Sequence, residues 1–419
     1  MKIFEIREPG EKKKKARALL LFSGGLDSVL AGKVLEEQGV EIVCLTFRSS
    51  FFGAREAIKA AAEQGWPLIV ADITREQIRI VENPRYGYGR QLNPCIDCHG
   101  QMARLAAELL QRYQADFVAT GEVLGERPKS QNLQALGLVE KLSGIKGLVL
   151  RPLSAKLLAP TLPEEKGLVE RDKLLDIRGR SRKRQLELAD RYQLKEYLTP
   201  AGGCLLTDPG FAARARQLRR WRGALWPEDI ELVRAGRAFL EAGAMIVVGR
   251  DERENDHLLQ TARETDVLIT TAGIKGPLAV VRLKAEQGSD DGQKAGIELR
   301  LETIFREAVS EAAEAGNQTE PEPVESGAGA EPEKVRCREL RALVTRIQEG
   351  RLNPEAAGTG AEEVWVLENP AIREACLLVI RYSRARHLGR AAAAIIRPGK
   401  IFRLEFEKAD WEKYLPSKP

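Results

Sequence analysis

Short apolar runs and amphipathic stretches alternate along the first third of the chain. The apolar runs predict four strands, at residues 18–22, 40–47, 67–71 and 116–120. In the amphipathic stretches, apolar residues recur every three or four positions and predict helices at 28–37, 54–64 and 102–113. Strands that alternate with helices indicate βαβ units. We therefore predict an α/β fold with a Rossmann-like parallel sheet and helices on both of its faces.

A different pattern begins near Phe211. Short apolar runs there predict strands of a smaller α+β domain, at residues 244–248, 267–269, 278–281, 364–367 and 401–406. The segment just before it carries one helical pattern, at 181–192, and is assigned to the first domain. The predicted domains are therefore residues 1–209 and residues 210–419.

Composition sets limits on this organisation. The chain has 419 residues, of which 43% are apolar, so two or three folded domains are expected and wholesale disorder is excluded. Glu, Pro, Gly and Ala dominate around 316–334, and a mobile insertion is predicted at about 286–335 because this composition cannot bury a core. No run of 18 apolar residues occurs, and the N-terminal residues lack the apolar core of a signal peptide. We expect a soluble, cytoplasmic protein with no membrane partner.

The basic residues are clustered although the formal net charge is only +5. The clusters lie at 12–15, 178–184 and 214–222. Such clusters suit a polyanion such as RNA, because each neutralised phosphate releases counterions. Within the second cluster we expect RNA contacts from Arg180, Arg182, Lys183 and Arg184. The alternative is a set of solvated helix faces.

The stretch between the first predicted strand and the first predicted helix is rich in glycine and hydroxyl groups. It reads Ser23-Gly24-Gly25-Leu26-Asp27-Ser28, and we call it the phosphate loop. Two glycines let the backbone close around an anion, and the helix start directs amides and a favourable dipole toward it. A carboxylate beside phosphates is costly without a metal, so Asp27 suggests Mg²⁺. The alternative is a plain turn with Asp27 as helix cap, but the strand–loop–helix order favours the phosphate site.

The phosphate loop matches the S-G-G-x-D-S signature of the PP-loop ATP pyrophosphatases, which the chain resembles here. No Walker A motif is present. The resemblance implies that residues 23–28 hold the pyrophosphate half of ATP and that AMP is transferred to an oxygen of the substrate. We expect Phe47, at the end of the second predicted strand, beside the nucleotide.

A second stretch indicates which kind of PP-loop enzyme the chain resembles. Ala119-Thr120-Gly121-Glu122-Val123-Leu124-Gly125, followed by Ser130-Gln131, is similar to a segment of bacterial 4-thiouridine synthase, a tRNA sulfur-insertion enzyme. Arg151-Pro152-Leu153 is similar to that family's R-P-L. The resemblance implies that Gly121, Ser130 and Gln131 lie near the α-phosphate, at the carboxyl ends of the strands. The alternative is a plain glycine-containing loop.

The chain also departs from that synthase. Neither the RNA-binding segment that precedes its ATP loop nor its catalytic disulfide pair is recognisable. We therefore expect RNA binding and sulfur delivery to be supplied differently.

Three of the six cysteines lie in segments suited to chemistry. Cys95 and Cys98 form a C-x-x-C pair just before a long helix, and Cys204 follows two glycines. Three thiolates can hold a [4Fe–4S] cluster with one iron open, as in several thiolation enzymes with the same ATP loop, which this sequence resembles. Alternatively, His99 completes a Cys₃His zinc site, or one cysteine carries a persulfide that another resolves. Asp97 is a candidate general base or Mg²⁺ ligand, or else a solvated carboxylate.

Two stretches in the second half resemble the RNA-binding domain of NFACT proteins. They are the region 247–277, with G-R-x-x-x-x-N-D and I-x-G-P patterns, and the helix-like stretch 371–387. The resemblance implies RNA binding, with phosphate contacts and one stacking face from Arg250, Lys275, Arg381, Tyr382 and Arg384. The alternative is a domain for protein interaction or dimerisation.

Together these motifs predict an ATP-dependent tRNA sulfurtransferase that adenylates a uridine carbonyl oxygen and replaces it with sulfur, in the manner of 4-thiouridine synthesis. The expected cofactors are ATP, Mg²⁺ and a [4Fe–4S] cluster, with zinc as the less favoured metal. The expected partners are tRNA, a sulfide or persulfide donor and, as an open option, a second copy of the chain. The alternatives are an adenylating enzyme for a small molecule or carrier protein, and a non-catalytic RNA-binding protein.

Overall fold

The computed structural model describes residues 1–194, 203–241, 243–284, 331–352, 355–356, 369–388, 390–397 and 400–412. These residues form two compact units, one spanning Met1–Ala212 and the other beginning at Ala213. The strand predicted at 364–367 and nearly all of the insertion predicted at 286–335 lie outside the described residues.

The first unit is an alternation of strands and helices, as the sequence pattern predicts. Its strands are β1 Lys2–Arg7, β2 Arg17–Leu21, β3 Glu41–Arg48, β4 Leu68–Asp72, β5 Phe117–Thr120 and β6 Val149–Leu150. Its helices are α1 Leu26–Glu36, α2 Arg55–Gln64, α3 Thr74–Glu82, α4 Cys95–Leu109, α5 Leu133–Ser143, α6 Leu162–Glu165 and α7 Lys183–Arg191. Helix α8, Pro209–Arg222, begins in this unit and ends in the second.

The sheet of the first unit has the order β1-β4-β3-β2-β5-β6. All neighbours are parallel except β1, which pairs antiparallel with β4. The chain order reverses on either side of β2, between β3 and β5. In open α/β sheets, ligands bind outside the carboxyl ends of the strands at such a reversal. The topology therefore predicts a ligand site at the loops that follow β2 and β5.

Both faces of this sheet are buried, as expected for a parallel sheet covered by helices. Leu20 packs with Leu30 of α1 and Ile58 of α2, whereas the adjacent Leu19 packs on the opposite face with Leu105 of α4. Successive residues of a strand point to opposite faces, so a continuous apolar run serves both layers. The predicted α/β fold class is confirmed.

The second unit is an antiparallel sheet with helices. Its strands are β7 Arg237–Glu241, β8 Ala244–Val248, β9 Val267–Thr271, β10 Leu278–Leu283, β11 Glu355–Ala356, β12 Arg390–Arg397 and β13 Lys400–Glu407. Its helices are α9 Pro227–Val233, α10 Glu252–Thr261, α11 Glu331–Gln348, α12 Pro370–Tyr382 and α13 Lys408–Glu412. The sheet order is β11-β13-β12-β9-β10-β8-β7, with β11 and β13 as its one parallel pair. Helix α12 buries Cys376 and Leu378 in the core that includes Ile246 and Ile269 of the sheet.

Five strands form that the pattern does not predict. They are β1, which is only partly buried, the two-residue strands β6 and β11, and the longer strands β7 and β12. Strand β12 contains four successive alanines, which have low strand propensity, and pairing with β9 and β13 on either side stabilises it. No helix among the described residues has the length and apolar character needed to cross a bilayer.

A buried ionic network links the helices and sheet of the second unit. Arg282 on β10 is 3% exposed, and its guanidinium lies 2.7 Å from Asp266 and 3.0 Å from Asp229. Both carboxylates are themselves buried. Removing one partner of such a group leaves an uncompensated buried charge.

We predict that Arg282→Ala lowers the free energy of unfolding of the second unit by about 3–5 kcal/mol. The matched control is Arg250→Ala, which breaks an exposed ion pair with Glu254 and is expected to cost less than about 1 kcal/mol. Urea unfolding of the two variants measures the difference. Equal costs would show that the Arg282 network does not stabilise this unit.

Candidate functional site

The phosphate loop connects β2 to α1, and its glycines are required by close backbone packing. Gly24 has φ of +75°, and a Cβ built on it would lie 2.4 Å from the carbonyl oxygen of Glu56. The Ser28 hydroxyl donates to the Gly25 carbonyl oxygen over 2.8 Å and lies 3.4 Å from the Ser23 hydroxyl. The loop is thus a compact turn at the amino end of α1, the arrangement that binds anions.

The loop that follows β5 packs directly on the phosphate loop. A Cβ on Gly121 would lie 2.6 Å from the backbone carbon of Asp27 and from the backbone nitrogen of Ser28. Only a glycine permits this approach, because a side chain there would displace backbone atoms. The carboxyl ends of β2 and β5 therefore meet at the phosphate loop, at the reversal of the sheet order.

Asp27 has one paired and one unpaired carboxylate oxygen. Its Oδ2 lies 3.0 Å from the Arg182 guanidinium, whereas its Oδ1 is buried with no hydrogen-bond partner in the described part of the chain. Burial raises the pKa of Asp27, and the Arg182 charge offsets only part of that effect. Burial and the Asp27 charge also raise the pKa of Glu126. The buried and unpaired Oδ1 of Asp27 beside the phosphate loop is a candidate cation ligand.

The basic cluster at 178–184 divides between two environments. Arg182 turns toward the phosphate loop and pairs with Asp27. Arg180, Lys183 and Arg184 are exposed, and Arg184 lies 2.7 Å from Asp176.

The residues after β5 form a closed loop, which we call the TGE loop (residues 120–131). Gly125 donates its N–H to the Gln131 carbonyl oxygen over 2.7 Å, and the Gln131 side chain accepts from the Arg127 N–H over 3.1 Å. Ser130 and Gln131 are both buried, at 3% and 7% exposure. Phe47, near the end of β3, is buried in the core beneath α4.

Glu122 in the TGE loop joins three motifs through ion pairs. Its carboxylate lies 3.0 Å from Nδ1 of His99 and 3.0 Å from Nε of Arg151. Burial raises the pKa of Glu122, but the Arg151 charge and the His99 hydrogen bond outweigh it and lower this pKa to about 2. The sequence pattern does not predict this network. The only local signals are the acid Glu122 in the stretch 119–125 and the arginine of the R-P-L motif.

The three candidate cysteines converge from two segments. Cys95 and Cys98 lie in the first turn of α4, and Cys204 precedes a short 3₁₀ turn whose Leu206 carbonyl oxygen accepts from the Leu92 N–H over 3.1 Å. Burial raises the pKa of Cys98, and the charges of Cys204 and Cys95 raise it further. Burial likewise raises the pKa of Cys204 to about 11. In the described part of the chain, no three His, Cys, Asp or Glu side chains form a ready-made metal site.

Asp97, between the paired cysteines, anchors a neighbouring loop. Its two carboxylate oxygens accept the backbone N–H groups of Arg85 and Tyr86, each over 3.0 Å. The side chain is 8% exposed and faces this loop.

In the second unit, segments with RNA-binding resemblance meet at one end of the sheet. Gly249, which precedes Arg250, donates to the Leu278 carbonyl oxygen over 2.9 Å, and a Cβ on Gly276 would lie 2.9 Å from Ser383. Lys275 and Arg384 are exposed there, and Arg381 donates to the Trp411 carbonyl oxygen over 3.3 Å.

One face of Tyr382 is already occupied. The Arg237 guanidinium stacks on this ring at 4.5 Å from its centroid.

The first unit carries the S-G-G-x-D-S pattern of the PP-loop ATP pyrophosphatases between β2 and α1. Residues 14–156 match the family model described as "Thiamine biosynthesis protein (ThiI)". A stretch of 117 residues is 36% identical to "tRNA-specific 2-thiouridylase MnmA 3" of Bacteroides fragilis, covering 26% of this chain and 32% of that protein. A stretch of 149 residues is 32% identical to "Probable tRNA sulfurtransferase" of Moorella thermoacetica, covering 33% and 36%.

Among solved structures, "Crystal structure of a 4-thiouridine synthetase - RNA complex with bound ATP" covers 48% of this chain and 50% of that chain, at 21% identity and a TM-score of 0.29. The chain spans about a third of the length of the two curated relatives named above.

The Glu122 network predicts a pH-dependent stability. The folded pKa of about 2 lies below the ordinary value of 4.5, so the ionised carboxylate stabilises the fold above about pH 4.5 and loses this effect as the pH falls. The stability advantage of the native chain over Glu122→Gln should therefore shrink by about 2 kcal/mol between about pH 6 and about pH 3.

Urea unfolding at both pH values measures this change. The control is Glu108→Gln, which removes an exposed carboxylate paired with Arg104 and should show a change below about 0.5 kcal/mol. The same advantage at both pH values would contradict the lowered pKa of Glu122.

Proposed function

We propose that this chain is an ATP-dependent tRNA sulfurtransferase, which adenylates a uridine carbonyl oxygen and replaces it with sulfur to give 4-thiouridine. The observation that carries the proposal is the packing of Gly121 on Asp27 and Ser28, which joins the TGE loop to the phosphate loop. The family match over residues 14–156 and the two relatives support tRNA thiolation, and the resemblance of residues 119–131 to 4-thiouridine synthase supports the 4-position.

The charge of one side chain, Arg127, acts on both the phosphate loop and the third cysteine. The Arg127 charge lowers the pKa of both Asp27 and Cys204, although burial dominates each of these shifts. Coulomb interactions decay with distance, so Arg127 of the TGE loop lies near both the acid of the phosphate loop and the third cysteine.

The phosphate loop would promote adenylation mainly by holding the phosphates of ATP in position. The amides at the start of α1 and the hydroxyls of Ser23 and Ser28 bind the β- and γ-phosphates, and the uridine oxygen attacks the α-phosphorus as pyrophosphate departs. Mg²⁺ fits at the unpaired Oδ1 of Asp27, where it would offset the charge of the departing pyrophosphate.

The three cysteines would hold or deliver the sulfur that displaces AMP from the adenylated base. Burial raises the pKa of the Cys98 and Cys204 thiols, so a neighbouring positive charge is needed to form their thiolates at neutral pH. A bound metal supplies such a charge, and three thiol donors fit an iron–sulfur cluster in ligand type. Cys95, Cys98 and Cys204 would hold such a cluster, which would supply iron chemistry for the sulfur transfer.

The exposed basic residues would recruit tRNA. In the first unit these are Arg180, Lys183 and Arg184, and in the second unit Arg250, Lys275 and Arg384 lie at one end of the sheet. Arg182 would act at the nucleotide through Asp27, and Tyr382 would reach RNA by the ring face opposite Arg237.

Gly121→Ala tests the ATP site. The added Cβ overlaps the backbone at Asp27 and Ser28, so we expect MgATP affinity to fall about tenfold or more. Gly137→Ala is the control, because a Cβ there meets nothing within 4 Å. Titration calorimetry with MgATP measures both variants. Native affinity in Gly121→Ala would show that this approach does not shape the nucleotide site.

Cys95→Ala tests the sulfur chemistry and the function together. The anaerobically purified native chain should contain iron and acid-labile sulfide and should form 4-thiouridine in unmodified tRNA given MgATP and sulfide. Cys95→Ala should lose both properties, whereas Cys376→Ala, which removes a buried thiol of the second unit, should keep both. Metal analysis and nucleoside mass spectrometry provide the readouts.

Two results would contradict these expectations separately. Stoichiometric zinc without iron would exclude the cluster, and native protein that forms no thiolated nucleoside would exclude the function.

A further inference from the structure

The segment between α3 and α4 combines basic, aromatic and glycine residues. Residues 84–93, which we call the Arg-Tyr loop, read Pro84-Arg85-Tyr86-Gly87-Tyr88-Gly89-Arg90-Gln91-Leu92-Asn93. Arginines interleaved with aromatic rings are the composition that binds single-stranded nucleic acid, through phosphate contacts and base stacking. None of the motifs described above includes this loop.

The Arg-Tyr loop is held in one conformation in spite of its glycines. The Asp97 carboxylate accepts the N–H groups of Arg85 and Tyr86. Gly89 donates to the Asn93 carbonyl oxygen over 2.7 Å, and the Tyr88 hydroxyl donates to the Val81 carbonyl oxygen over 2.5 Å. A loop fixed in this way loses little conformational entropy when it binds a ligand.

The Arg-Tyr loop borders the cysteine segments and the TGE loop of the candidate site. The Asn93 side chain donates to the Cys95 sulfur over 3.1 Å, and Leu92 donates to Leu206 beside the Cys204 segment over 3.1 Å. On the other side, the Lys129 ammonium group of the TGE loop donates to the Tyr88 carbonyl oxygen. RNA bound to this loop would therefore lie next to both the cysteines and the TGE loop.

The loop presents charge that the protein itself does not neutralise. Arg85 and Arg90 are exposed, and neither makes an ion pair with a described residue. By contrast, Arg104 and Arg112 on the neighbouring helix and its end pair with Glu108 and Glu5. Two exposed guanidinium groups at the edge of a buried site suit phosphate groups.

Tyr86 supplies the aromatic surface. It is half-buried, and the Arg85 guanidinium lies 5.6 Å from its ring centroid. A base whose edge is to be modified must leave its stack, and a neighbouring aromatic ring compensates for the lost stacking.

We propose that the Arg-Tyr loop is the binding site for the single-stranded nucleotides around the target uridine, with Arg85 and Arg90 on phosphates and Tyr86 stacked on a base. This inference rests on the proposed function for the identity of the RNA. The competing explanation is that the loop only supports Cys95. That explanation predicts damage to the cysteine site without a change in electrostatic RNA binding.

The test uses the full chain and an unmodified tRNA transcript, with affinity measured across a range of salt concentrations. The double variant Arg85→Ala/Arg90→Ala should reduce the slope of log affinity against log salt by about 1.4, since each single-strand phosphate contact contributes about 0.7. The control Arg104→Ala/Arg112→Ala removes the same charge from paired positions and should keep the native slope. MgATP affinity should be unchanged in both variants.

Tyr86 is tested by two substitutions. Tyr86→Leu should weaken tRNA binding by about 5-fold or more, whereas Tyr86→Phe, which keeps the ring, should retain native affinity. A native salt slope in the double variant, or native affinity in Tyr86→Leu, would overturn the inference. Loss of MgATP binding together with RNA binding would also overturn it, because the loop would then be a structural support.

The readouts separate this inference from the proposed function. If the native chain binds tRNA without forming 4-thiouridine, the proposed function fails, and the salt slopes still decide whether the loop contacts RNA. If the native chain thiolates tRNA and the variants match it in affinity, only the loop inference fails.

Discussion

The close approach of Gly121 to the backbone of Asp27 and Ser28 is the constraint on which the candidate site depends. It brings the segment after β5 against the segment after β2, at the point where the sheet order reverses. The TGE loop is thereby placed beside the phosphate loop, and Glu122 can reach His99 on α4 and Arg151 after β6. One backbone contact that requires a glycine thus brings together the phosphate loop, the Glu122 ion pairs and the first turn of α4.

Local sequence features predicted much of the first unit. The phosphate loop is recognisable because six consecutive residues carry its chemistry, and the buried strands are recognisable because both faces of a parallel sheet demand apolar residues. Helix α4 was predicted from its apolar periodicity, although it begins at Cys95 rather than after it. These features depend on neighbours in sequence, so pattern analysis can detect them.

Contacts between distant segments were not predictable in the same way. Arg182 was assigned to an RNA-facing cluster, and nothing near it in sequence reveals that its partner is Asp27. The same holds for Gly24 against Glu56 and for His99 with Glu122. Strand β12 was missed because four alanines carry no strand signal, and its neighbours in the sheet determine its conformation.

Asp97 has a further mechanical consequence. It lies between Cys95 and Cys98 in the first turn of α4, while both of its oxygens hold the backbone at Arg85 and Tyr86. One helical turn thus fixes both the spacing of the two thiols and the conformation of the adjoining loop. Rotating that turn would displace both, so the Cys95 and Cys98 thiols cannot change direction without moving the backbone at Arg85 and Tyr86.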